Sequence, residues 1–217
     1  MLLKQLQANY PNACIIQDCA QSTDTVRDYS IADVNIFSFY PTKPLASMGD
    51  GGMICTDDEV LAKSIREYCF YGLNEDGDTN NPGINSRMDE IQAGIVNVKF
   101  PHLDFMNNKR IKIAHRYLKA LEGNTQITTM RPQGNCVYHQ FAILVDNRDE
   151  FIEQLTAAGI PHMIHYPNNI SEMIFQTHGT HKVQSPINNK ILSLPCNTWM
   201  QEEEIELVVN FLEKVKK

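Results

Sequence analysis

The most constraining stretch of the chain runs Phe37-Ser38-Phe39-Tyr40-Pro41-Thr42-Lys43-Pro44-Leu45-Ala46-Ser47-Met48-Gly49-Asp50-Gly51-Gly52. Val34 to Tyr40 is apolar and β-favouring, and reads as a buried strand. Pro41 and Pro44 end it, because neither can donate a hydrogen bond to a sheet ladder. Lys43 is thereby set in a stiff loop at the hydrophobic end of a strand. Desolvation there favours the neutral amine, the form that attacks a carbonyl. Taken alone, an ordinary loop lysine is the simpler reading.

A second run changes the balance. Ile15-Ile16-Gln17-Asp18-Cys19-Ala20-Gln21 is an apolar run that ends in a carboxylate and an amide, one strand earlier. Pyridoxal phosphate chemistry needs such a pair. The lysine forms the Schiff base, and the acid keeps the pyridine nitrogen protonated so that the ring serves as an electron sink. Ser38, five residues before Lys43, can offer its hydroxyl to the phosphate.

Four blocks carry a resemblance: Asp18-Cys19-Ala20-Gln21, Phe37 to Lys43, Gly49-Asp50-Gly51-Gly52, and Asn85-Ser86-Arg87-Met88-Asp89-Glu90-Ile91-Gln92-Ala93. Weaker blocks follow at His165-Tyr166-Pro167 and Leu192-Ser193-Leu194-Pro195. In this order they resemble the DegT/DnrJ/EryC1/StrS family, nucleotide-sugar aminotransferases among the fold-type I pyridoxal phosphate enzymes. The resemblance implies an α/β fold in which this chain supplies an incomplete large-domain sheet and a small α/β domain. It implies transfer of an amino group, from glutamate, to a nucleotide-linked keto-sugar. It also implies roles. Lys43 becomes the Schiff-base lysine and general base, Asp18 the partner of the pyridine nitrogen, and Gln21 the neighbour of the ring and its phenolic oxygen. Ser38 contacts the phosphate, and Asn85 reaches the phosphate of a neighbouring subunit. Arg87 and His165 contact substrate.

Each assignment has a plainer counterpart. Asp18 reads also as a strand-end aspartate capping a loop, and Asn85-Ser86 as a helix cap, since both are good N-cap residues. Arg87 suits carboxylate or phosphate through its planar fork. His162, His165, His178 and His181 form two H-x-x-H pairs. They are not expected to bind metal, because no cysteine or carboxylate falls in step and positions i and i+3 of a strand face opposite ways.

Bulk properties narrow the class further. A chain of 217 residues can bury a full core. The formal charge of −7 offers no basic footprint for nucleic acid. No apolar run approaches a membrane span. Six cysteines without a C-x-x-C pair, with Cys14, Cys19 and Cys55 in buried-looking strands, suggest reduced thiols in a cytoplasm.

Along the chain, Leu2 to Ala8 is helical, Ala13 to Gln17 a strand, and Ser22 to Ala32 a connecting loop. Gly51 to Thr56 is a third strand, and Thr56-Asp57-Asp58-Glu59 a capping box with Thr56 at the cap of a helix reaching about Cys69. Tyr71 to Gly83 is expected as a mobile loop. Ser86 to Leu121 is helical apart from a break at Pro101. The resemblance places this helix at a homodimer interface. Two domains are expected, 1–123 and 124–217, because Gly123-Asn124 ends the helix. Val137 to Val145, Arg148 to Ala158, Ile160 to His165 and Gln201 to Lys216 read as strand, helix, strand and helix.

The family's large domain begins far upstream of the position of Met1. The chain is therefore expected to be the carboxyl-terminal part of such an enzyme, either a fragment or one half of a split enzyme completed by an amino-terminal polypeptide, with its own activity in doubt while that part is absent. The alternative is a non-catalytic remnant that binds or dimerises. A related sugar dehydratase is disfavoured, because histidine typically replaces the lysine there.

Overall fold

The structure, a computed structural model, describes residues 2–23, 29–79, 81–130, 135–167 and 187–215. The chain divides into two compact units, Met1–Met106 and Asn107–Lys217. The division falls inside a helix rather than near residue 123, because the later turns of that helix pack into the second core.

In the first unit, helix α1 (Leu2–Asn9) precedes a three-stranded sheet of β1 (Ile16–Asp18), β2 (Val34–Ser38) and β3 (Gly52–Cys55), in that order. β1 and β2 are parallel, and β3 is antiparallel to β2. Cys19, Phe37, Phe39 and Leu45 pack with Val96, Leu103 and Met106 to form its core. Cys19 is fully buried and Cys55 half-buried, whereas Cys14 is exposed; it precedes the strand proper.

Helix α2 (Glu59–Cys69) opens at Asp58, not Thr56. Asp58 Oδ1 accepts from the N–H groups of Val60 and Leu61 at 2.9 and 3.0 Å. The Thr56 hydroxyl instead donates to the Asp33 carbonyl at 2.7 Å, so a tertiary contact has taken the expected cap. Asp58→Ala is expected to cost about 1 kcal/mol, read as a lower urea midpoint at unchanged slope. Thr56→Ala will leave both α2 N–H groups capped.

The Gly-, Asn- and Asp-rich segment after α2 is closed by bridges between Phe70 and Asn85 and between Leu73 and Thr79. The Asn74 side chain accepts from the N–H groups of Asp76 and Asp78. Because Asn85 pairs with Phe70, the next helix starts later than Ser86. Helix α3 (Glu90–Lys99) has Asp89 at its cap, and a 3-10 turn at Phe100–His102 carries Pro101. Helix α4 (Leu103–Ala120) follows directly.

The second unit holds an antiparallel sheet of β4 (Ile127–Thr129), β5 (Phe141–Val145) and β6 (Ile191–Leu194), with β5 central. Helices α5 (Arg148–Ala157) and α6 (Glu202–Lys214) complete it. The core gathers Ile113, Ala114 and Tyr117 of α4 with Ile143, Leu155, Leu192, Val208 and Leu212. Two expectations change here. The strand expected from Val137 begins only at Phe141, because Tyr138 adopts φ 47°, incompatible with extension. The strand expected over Ile160 to His165 is a single bridge between Met163 and Ser193. Gln201 and Glu204 form a reciprocal capping box at the start of α6.

Candidate functional site

The register of β1 and β2 places the first group of residues. Asp18 pairs with Ile36, and paired residues in adjacent strands face the same side. Ser38, two residues beyond Ile36, therefore shares that face with Asp18. The opposite face turns Phe37 and Phe39 into the core. Both strands end here at their carboxyl termini, where open α/β sheets present groups to ligands. Asp18 is exposed, and its Oδ1 accepts from the Ala20 N–H at 2.9 Å. Its second oxygen has no partner among the described residues. Gln21 follows, also exposed. Ser38 Oγ accepts a long 3.4 Å bond from the Tyr40 N–H, which leaves its own proton to donate.

Lys43 sits at the tip of the loop that leaves β2. The base of that loop is pinned: Ser47 donates from its N–H and its hydroxyl to the Phe39 carbonyl, at 2.8 and 2.7 Å. The Lys43 N–H donates to Tyr40 at 2.8 Å, and Leu45 and Ala46 are buried just after it. From α3, the Lys99 ammonium donates to the Ala46 carbonyl at 2.8 Å. The loop is thus held by backbone and apolar anchors that do not involve the Lys43 side chain, itself half-buried.

The glycine block and the Asn85–Ala93 block pack against each other. A Cβ on Gly51 would lie 2.7 Å from Met88 Sδ, and one on Gly52 would lie 2.8 Å from the Phe37 carbonyl oxygen. Glycine is needed at Gly52, where the neighbour is backbone, whereas at Gly51 the flexible Met88 side chain can give way. The Met48 N–H donates to Gln92 Oε1 at 2.8 Å.

Asn85 and Arg87 line a cavity of about 870 Å³ together with Ile36, Gly52, Ile54 and Arg66. The Arg87 guanidinium lies 4.8 Å from the centroid of the Phe70 ring and 5.6 Å from that of Tyr71. Its Nε donates to Asn85 Oδ1 at 3.0 Å. These cation–π contacts, with the bond to Asn85, hold the guanidinium in the cavity and leave its outer N–H groups for an anion. Tyr71 reaches this position with φ 62°, a left-handed conformation unusual for a residue with a side chain. Among the described residues neither Arg66 nor Arg87 has a carboxylate partner.

His165 belongs to the second unit. Its Nδ1 is 3.0 Å from Ser193 Oγ, and burial holds its pKa below the ordinary histidine value. His162 Nδ1 lies 3.1 Å from the Ile160 carbonyl, while His178 and His181 lie outside the described residues. The structure thus gathers Asp18, Ser38 and the Lys43 loop at one strand end, and Asn85 with Arg87 in one cavity. Phe70 and Tyr71 were not singled out by sequence, and Gln92 and Ser193 stood in quoted blocks without a role of their own. Their contacts span from 16 to 44 residues and no local spacing announces them.

Residues 3–213 match the model of the DegT/DnrJ/EryC1/StrS aminotransferase family. A pleiotropic regulatory protein of Geobacillus stearothermophilus is 38% identical over 182 residues, which cover 80% of this chain and 49% of that protein. The UDP-N-acetyl-3-dehydro-alpha-D-glucosamine 3-aminotransferase of Acidithiobacillus ferrooxidans is 33% identical over 208 residues, covering 92% and 56%. The crystal structure of NtdA from Bacillus subtilis, with bound cofactor PMP, superposes with a TM-score of 0.82 at 26% identity, over 98% of this chain and 52% of that one. The chain spans about half the length of the curated relatives it matches. The match along nearly the whole chain and the likeness of fold lead to one statement: the chain belongs to the DegT/DnrJ/EryC1/StrS aminotransferase family, with the mixed α/β fold of part of a fold-type I transferase.

Proposed function

We propose that the chain provides the lysine-bearing part of a pyridoxal phosphate-dependent aminotransferase that moves an amino group from glutamate to a nucleotide-linked keto-sugar. The observation that carries this reading is the shared face of Asp18 and Ser38 at the ends of two parallel strands, with Lys43 on the pinned loop leaving the second. Those residues fit the cofactor. Asp18 has a carboxylate oxygen open for a protonated pyridine nitrogen, Ser38 a hydroxyl proton for phosphate, and Lys43 an amine for covalent attachment. Gln21 lies next in the chain to flank the ring. Asn85 would reach the phosphate held by a second subunit.

When bound, the cofactor supplies an electron sink that makes the C–H beside the amino group acidic. The Lys43 Nζ, freed when the donor's amine displaces it, would take that proton as general base. Asp18 would keep a proton on the pyridine nitrogen. Arg87, held against Phe70 and Tyr71, would bind a substrate anion, and His165 would contact the sugar side.

A homodimer is supported by Ile91, Val98 and Phe105, exposed apolar side chains seven residues apart along α3 and the start of α4. A complementing polypeptide covering the relatives' remaining length is supported by Ile16 and Ile54, exposed on the same sheet face as Asp18. A cytoplasmic setting is supported by six free thiols. No helix among the described residues is long and apolar enough to cross a membrane.

The test is to incubate the chain with pyridoxal phosphate, alone and with the complementing segment, reduce with borohydride, and map adducts by mass spectrometry. A stoichiometric adduct confined to Lys43 in either sample is the expected result. No adduct in both, or a scatter over surface lysines, overturns the assignment.

A further inference from the structure

The Leu192-Ser193-Leu194-Pro195 block has no part in the function proposed above, and Ser193 is its one member with a polar side chain. Ser193 lies in β6, only 7% exposed, opposite Ala142 of β5. On its other side it is bonded to Met163 through both backbone groups. The Met163 N–H donates to the Ser193 carbonyl at 3.1 Å, and the Ser193 N–H donates back at 2.9 Å. Two residues beyond Met163, the ring of His165 returns to the same serine, with Nδ1 and Oγ 3.0 Å apart. One residue therefore fixes both the strap that carries the histidine and the ring itself.

The direction of that side-chain bond follows from what else each group can do. Burial favours the neutral imidazole, which carries a single ring proton. If Nδ1 held it, the ring would donate and the Ser193 hydroxyl proton would need another acceptor. Among the described residues the hydroxyl has none. A hydroxyl this little exposed loses free energy when its proton is left unpaired. With the proton on Nε2 instead, the hydroxyl donates to Nδ1 and both groups are satisfied. Nε2 itself makes no hydrogen bond among the described residues.

We infer that Ser193 is a positioning residue: its O–H donates to Nδ1 of His165, confines the ring proton to Nε2, and so presents His165 as a directed donor to an oxygen acceptor of the sugar substrate. The substrate part rests on the contact proposed for His165. The positioning does not, since both residues belong to one compact unit and the bond lies wholly within it.

The experiment uses the chain labelled with ¹⁵N, at a pH where His165 is neutral, and reads its two ring-nitrogen shifts. The parent is expected to show a single Nε2–H tautomer, with the two nitrogens widely separated. Ser193→Ala should bring in the Nδ1–H form and narrow that separation, while Ser193→Thr, which keeps the hydroxyl, should restore it. Unchanged signals from the other histidines will show that the fold has survived. An Nδ1–H ring in the parent, or a Ser193→Ala spectrum identical to the parent, overturns the inference. A second arm measures steady-state kinetics with the complemented enzyme and its nucleotide-sugar. Ser193→Ala should raise KM up to about tenfold, the effect of one misdirected neutral hydrogen bond, with kcat little changed. A lost tautomer with an unchanged KM would overturn the substrate contact of His165 and leave the positioning standing.

Discussion

Lys43→Ala in the complemented enzyme is expected to abolish amino transfer and, with it, the borohydride-stable adduct. The expected loss exceeds about 10⁴-fold, because one side chain is asked to supply both the covalent attachment and the proton transfer, and acid–base catalysis alone contributes about 10²–10⁴. Lys43→Arg should be as inactive. Arginine keeps the charge and much of the length, but it cannot offer a neutral amine at any working pH. The structure makes the comparison clean. The loop is held at Phe39, Ser47, Leu45, Ala46 and Lys99, so shortening residue 43 leaves its anchors in place. Equal thermal midpoints for the three proteins will confirm that. Transfer by Lys43→Ala above a tenth of the parental rate would remove Lys43 from the mechanism, and the search would pass to the other lysines of the first unit.

How far the sequence revealed this arrangement depended on whether a residue's role is local. Pro41 and Pro44 stop a strand wherever they stand, and Pro101 breaks a helix, so the Lys43 loop and the α3–α4 junction were legible. The parallel strand ends carrying Asp18 and Ser38 were legible for the same reason, as short apolar runs with polar punctuation. What remained hidden depends on distant partners. Thr56 and Asp58 are equally good caps by composition. The choice between them is made by the Asp33 carbonyl, which accepts the Thr56 hydroxyl. The start of α3 is set by Phe70, which pairs with Asn85 and holds that segment out of the helix. β4 and β6 are three and four residues long, too short for an alternation to show, and only their pairing with β5 defines them. The Tyr71 ring that Arg87 meets is carried on a left-handed backbone, a conformation that residue type argues against. The extent of α4 was visible, but not that its first residues serve one core and its later ones another.

Tyr117→Ala is expected to cost about 3–5 kcal/mol, a large part of the roughly 5–15 kcal/mol available to a domain. The ring is fully buried in the second core and meets Phe141 edge-on, with centroids 5.2 Å apart. Its hydroxyl donates to the Pro195 carbonyl at 3.0 Å, tying α4 to the segment that leaves β6. Removing the ring leaves a cavity among residues already packed, and also leaves that carbonyl unpaired. Tyr117→Phe separates the two effects. It keeps the ring and should cost only about 1 kcal/mol, the worth of the hydrogen bond. Urea unfolding followed by the fluorescence of Trp199, the chain's single tryptophan and a member of the same unit, will read both variants. The phenol adds a pH signature. Burial pushes its pKa well above the ordinary tyrosine value, so the folded state holds its proton more tightly than the unfolded chain does. That contribution is complete below the unfolded value of about 10 and is lost as pH rises beyond it. The parent should therefore destabilise more steeply than Tyr117→Phe above that pH. Parallel pH dependences would mean that the phenol ionises alike in both states, and its burial in this core would then have to be withdrawn.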